Sequence, residues 1–168
     1  MSGEPVSIDA VAHEKLMDEW ALAIGRFMVV FSSCEYWTHL FVETFGSKRL
    51  RDSTRDLMLR ARAPLAKSLV LDIGLTPEMT ARVEKAFNNL GSLATTRNLV
   101  AHNGPMMHAY RTDDGKLQLV VELRSAKDDG KDITIERIEE RTAEARDLDE
   151  ELALLYGAVR QSKNHLKT

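Results

Sequence analysis

Apolar residues recur at steps of three and four through residues 9–45: Leu16, Trp20, Ile24, Phe27, Phe31, Val42 and Phe45, with Thr38 as a weak member. That spacing puts one face of a long helix against a core. Gly25 can bend or split it, and Gly46 supplies a stop. A second helical stretch, residues 48–62, carries Leu50, Leu57 and Met58, and Pro64 is expected to interrupt it. Residues 65–73 form a further short helix closed by Gly74. Thr76-Pro77-Glu78 is a helix start with a mechanism. The hydroxyl caps free N–H groups, proline suits the first turn, and the carboxylate favours the positive helix end. This helix should reach His102, with Met79, Val83, Phe87, Leu90, Leu93 and Ala94 inward. Asn103-Gly104-Pro105 then ends it, Asn or Gly taking a left-handed cap.

The period changes after residue 105. Residues 106–111 and 117–123 flank a turn at Asp114-Gly115, a hairpin signal. A second turn at residues 127–130 leads to a short strand near Ile133. From about residue 135 to 163 the pattern is helical again, with Leu148, Leu152, Leu155 and Val159 as its stripe. There is no internal repeat and no low-complexity linker. The expected fold is mainly α: one domain, residues 1–168, of four to five helices, with a small antiparallel β insertion at about 105–135 before the last helix.

At 168 residues, 43% hydrophobic and 29% charged, the chain has the composition of a folded domain. The single cysteine, Cys34, excludes an intramolecular disulfide and is expected to be a small core residue. A reducing cytoplasm is the simplest setting, since no apolar run is long enough to span a membrane and the first residues do not read as a secretory signal. The net charge of −3 argues against a polybasic coat on nucleic acid. The average hides a division. Residues 1–46 carry −5, residues 47–111 carry +6 and residues 112–168 carry −4. Arg49, Arg51, Arg55, Arg60 and Arg62 supply much of the central excess. Such a cluster is either a solvated face with Asp52 and Asp56 as pairing partners or a surface that attracts phosphate.

The segment RNLVAHNGP, residues 97–105, holds Arg97, Asn98 and His102 near a helix C-terminus. Asn98 and His102 are one turn apart and share a face, and the long Arg97 side chain can reach round to them. Together they suit phosphodiester chemistry in RNA without a metal. A neutral imidazole takes a 2′-hydroxyl proton, a guanidinium offsets charge growing on the phosphoryl oxygens, and the amide orients. Arg160 and His165 repeat the Arg-to-His spacing in a polar tail, so the pair alone specifies little. The asparagine directly after Arg97 and the helix stop behind His102 set the first apart. The alternative is cationic decoration of a helix end.

Arg97-Asn98-Leu99-Val100-Ala101-His102 resembles the motif of the HEPN superfamily, an arginine, a polar residue, three further residues and a histidine on a helix within a small bundle. The following Asn-Gly is similar to the His-Gly of many members, and Glu35 stands on the first long helix where some members carry an acid. The resemblance implies an up-and-down HEPN-like bundle and a metal-independent endoribonuclease of the toxin or antiphage-defence type. Arg97 and His102 would be catalytic with Asn98 assisting, no cofactor would be needed, and a homodimer would hold two motifs across one cleft. An antitoxin or nucleotidyltransferase-like partner is also implied. Some members have lost activity, so the second expectation is a non-catalytic dimerisation or binding module.

Glu35 is further expected to contact Arg97 at the edge of the cleft. Glu35, His39 and Glu43 form a row at four-residue spacing that could hold a divalent metal, though such a row is more often a polar flank and no metal is expected. Trp20, Tyr36 and Trp37 are expected in the core or at a dimer contact rather than as base-stacking platforms, and His108 at a strand surface.

Overall fold

The computed structural model describes residues 10–115, 117–125 and 132–165. Helix α1 (Ala10–Phe45) is unbroken through Gly25 and about 54 Å long at 1.5 Å per residue. Helices α2 (Lys48–Thr54), α3 (Leu59–Leu71) and α4 (Pro77–His102) follow, then strands β1 (Pro105–Arg111), β2 (Leu117–Arg124) and β3 (Asp132–Ile133), and last α5 (Ile135–His165). The fold is thus a helical bundle with a three-stranded antiparallel sheet, in the order β1-β2-β3, before the final helix. No helix among the described residues is long and apolar enough to cross a membrane.

The core lies where α1, α3, α4 and α5 meet and is continuous with the inner face of the sheet. Trp20, Phe27, Phe31 and Phe41 of α1 pack with Val83, Leu90 and Leu93 of α4, Leu148, Leu152 and Leu155 of α5, and Leu123 of β2. Helices α1 and α5 run parallel, because their partners advance together: Cys34 Sγ donates to the Ala145 carbonyl, Trp37 Nε1 to Asp149 and Thr44 bonds Tyr156.

Both caps of α4 have identifiable chemistry. The Thr76 hydroxyl accepts from Met79 N at 3.3 Å. At the other end Asn103 is extended (φ −133°) rather than left-handed, and Gly104 does not take that role either. The Asn103 side-chain amide donates to the Leu99 carbonyl at 2.8 Å, satisfying one of the last free carbonyls directly. Gly74 closes α3 with φ +82°, as its position suggests. At Gly46 an added Cβ would lie 2.6 Å from the Val42 carbonyl oxygen, so a side chain is excluded where the chain leaves α1.

Pro64 does not break a helix. It sits inside α3, exposed, and the interruption falls earlier, at residues 55–58. Proline costs α3 the hydrogen bond to the Arg60 carbonyl. The segment stays helical because Arg62, Ala66 and Val70, four residues apart, bury one continuous face. The hairpin pairs Pro105 with Leu123 through Arg111 with Leu117, and Gly115 takes φ +80° in its turn. Ile133 pairs with Leu123. The expected turn at 127–130 lies outside the described residues.

Candidate functional site

Three buried or half-buried residues hold the end of α4: Thr96 and Val100 face the core, and Asn103 ties back to Leu99. On the other side of that helix turn, Asn98 and His102 are exposed and Arg97 is half-buried. The helix is regular to His102, so Asn98 and His102 do share a face. Arg97 Nη1 donates to Asn98 Oδ1 at 3.2 Å, which draws the guanidinium towards the amide. The helix cap is made by Asn103 and not by the imidazole, and no ion pair joins Arg97 or His102 to another described residue. An imidazole, a guanidinium and an amide therefore share the last two turns of one helix. They can accept a proton, offset developing negative charge and donate to a phosphoryl oxygen.

Glu35 does something different from what its position in the sequence suggested. Its carboxylate accepts from Arg62 Nη2 at 2.9 Å, so its partner is Arg62 rather than Arg97. Arg62 in turn is 4% exposed. Its Nε donates to Thr38 Oγ1 at 2.8 Å and its Nη1 to the Leu57 carbonyl, while Thr38 Oγ1 donates to the Glu35 carbonyl at 2.6 Å. Arg62 is therefore withdrawn from the basic surface. Arg49, Arg51, Arg55 and Arg60 remain exposed.

Helix α2 follows α1 after Gly46, and Arg51 Nη1 donates back to the Glu43 carbonyl of α1 at 3.0 Å. Between them lies a cleft of about 510 Å³, lined by Tyr36, His39, Arg51, Arg55 and Arg62 among others. Burial and the nearby Arg62 guanidinium lower the His39 pKa, against an opposing pull from Glu35. A second groove, about 650 Å³, runs between α4 and α5 and is crossed by a two-point ion pair from Arg82 to Glu151 at 3.0 Å. Neither cavity is lined by Arg97, Asn98 or His102. Arg51, Arg55 and Arg62 of the basic segment thus line the α1–α2 cleft, and the motif does not.

The remaining candidates divide. Trp20 is in the core and Trp37 is held by Asp149, but Tyr36 is 59% exposed at the cleft, its ring 6.4 Å from that of His39. His108 is half-buried in the sheet, 3.8 Å from Glu122. Cys34 is fully buried, and desolvation together with Asp149 pushes its thiol pKa up to about 12, so it is no nucleophile at neutral pH. Among the described residues no group of three His, Cys, Asp or Glu is arranged to hold a metal. The α1–α2 cleft escaped sequence reading because its residues come from three helices; the one local signal is the alternation of His39 and Glu43 with aromatic Tyr36 on α1.

No protein-family model, curated protein or solved structure matches this chain.

Proposed function

We propose that the chain is a metal-independent endoribonuclease of HEPN type, with its centre at Arg97, Asn98 and His102. His102 in its neutral form accepts the proton of a 2′-hydroxyl. The freed oxygen attacks the adjacent phosphorus, the 5′-oxygen leaves with a proton, and the products are a 2′,3′-cyclic phosphate and a 5′-hydroxyl end. Arg97 offsets the charge on the non-bridging oxygens, and Asn98 orients both the guanidinium and the phosphate. The single observation that carries the reading is that Arg97 bonds its neighbour Asn98 and none of the three side chains is tied to another described residue by a cap or an ion pair, while Asn103 fixes their helix end. Groups kept for structure would be consumed by caps or ion pairs, and these are not. Asn98 and His102 of one copy stand open to solvent, which favours completion of the site by a second copy in a homodimer. A toxin or antiphage role, with an antitoxin or nucleotidyltransferase-like partner, belongs to the same reading. The test is the product: RNA incubated in excess EDTA should acquire 2′,3′-cyclic phosphate ends, and a chain carrying Arg97→Ala should yield none.

A non-catalytic binding module is favoured by one observation: the α1–α2 cleft and the α4–α5 groove are both lined by residues other than the motif. On that reading Arg97→Ala lowers Tm by several degrees. On the catalytic reading it leaves Tm within about 2 °C, since Arg97 has no bond beyond its neighbour Asn98 among the described residues.

A further inference from the structure

The α1–α2 cleft carries chemistry that cleavage at the end of α4 does not use. Its charges do not cancel. Asp52 is taken by Lys48 Nζ at 2.7 Å and Arg62 by Glu35 at 2.9 Å, leaving Arg51 and Arg55 against Glu43. Arg55 makes no ion pair with another described residue, and the Arg51 guanidinium is steadied by the Glu43 carbonyl. Two guanidinium groups one helical turn apart suit the oxygens of a phosphate. Arg62, nearly fully buried, forms the back of the cleft, and three of its five N–H groups are occupied by Thr38, Leu57 and Glu35. The Tyr36 ring at the rim, with His39 beside it, offers an exposed aromatic face. The cleft's size lies within the range of small-ligand sites.

We propose that this cleft is a nucleotide-binding site. Arg51 and Arg55 hold the phosphate, the base lies on Tyr36, and the Glu43 carboxylate accepts ribose hydroxyls. The nucleotide is either free or one unit of a single RNA strand, since both present the same phosphate, ribose and base. This site is separate from the proposed cleavage centre and does not depend on it.

The test is calorimetric titration of the chain carrying His102→Ala, which keeps cleavage out of the measurement. The probes are AMP, inorganic phosphate and a short single-stranded oligoadenylate. Binding of AMP supports a free nucleotide, and binding of the oligoadenylate alone supports a strand. In either case Arg55→Ala and Tyr36→Ala should each weaken binding about tenfold, and inorganic phosphate should bind at least about tenfold more weakly than the preferred probe. Arg146→Ala, an equal charge change on the exposed face of α5, should stay within about twofold. The proposal is overturned if neither nucleotide probe binds, if inorganic phosphate binds as well as they do, or if Arg55→Ala and Tyr36→Ala do no more than Arg146→Ala. Loss of RNA cleavage in His102→Ala is scored apart, so either proposal can fail while the other stands.

Discussion

Burying a guanidinium is tolerated only where its N–H groups are met, and Arg62 is met by Glu35, Thr38 and the Leu57 carbonyl. These bonds join α1, the 55–58 connection and α3, so the side chain works as a strut. Arg62→Ala should cost about 2–4 kcal/mol in urea unfolding, because Glu35 loses its partner and the Leu57 carbonyl is left unmet. Pairing Arg62→Met with Glu35→Leu should recover much of that loss; no recovery would mean the cost is packing alone. Cys34 makes a different test. Its thiol pKa is raised in the folded state from an ordinary value near 9 to about 12. Its contribution is therefore complete below pH 9 and is lost as pH rises from there towards 12. Native protein should resist thiol reagents at pH 8, reacting only on unfolding, and Cys34→Ala should flatten the alkaline loss of stability. Rapid reaction of the folded chain would contradict the burial.

At the scale of elements, α4 and the second half of α5 were legible because their apolar residues recur at the helical period and α4 carries a threonine cap and a proline in its first turn. Thr76→Ala should lower stability by about 1 kcal/mol, read from thermal or urea unfolding. The strands were legible from Asp114-Gly115 and the change of period. The break between α2 and α3 was not, since residues 55–58 contain neither Gly nor Pro, and what holds the turn against α1 is Arg62, bonded at once to the Leu57 carbonyl and to Thr38 and Glu35. Pro64 misled for the converse reason, its local cost being outweighed by the buried face of α3. Pro64→Ala should therefore stabilise, by about 1 kcal/mol, through the restored bond to the Arg60 carbonyl. Of the candidate site, the common face of Asn98 and His102 followed from spacing alone. The partner of Glu35 did not, because two arginines, Arg62 and Arg97, were equally eligible until the packing of α3 on α1 was known.

Across the whole molecule the charge is arranged in two places with different chemistry. The basic segment is split between an exposed α2 surface, the α1–α2 cleft and one strut, while the motif sits on the end of another helix. An RNA strand reaching both would be guided by Arg49, Arg51, Arg55 and Arg60 and cut at Arg97 and His102. A composite centre requires two copies, so sedimentation should give a dimer. Mixing chains that carry Arg97→Ala with chains that carry His102→Ala should restore part of the cleavage that each lacks, if residues of both copies serve one centre.

The most direct test of the central claim is the cleavage rate of mixed cellular RNA in excess EDTA, wild type against a folded chain carrying His102→Ala. Loss of a general base predicts a fall of at least about 100-fold with unchanged circular dichroism. Equal rates, or no cleavage by wild type as a dimer, would contradict it.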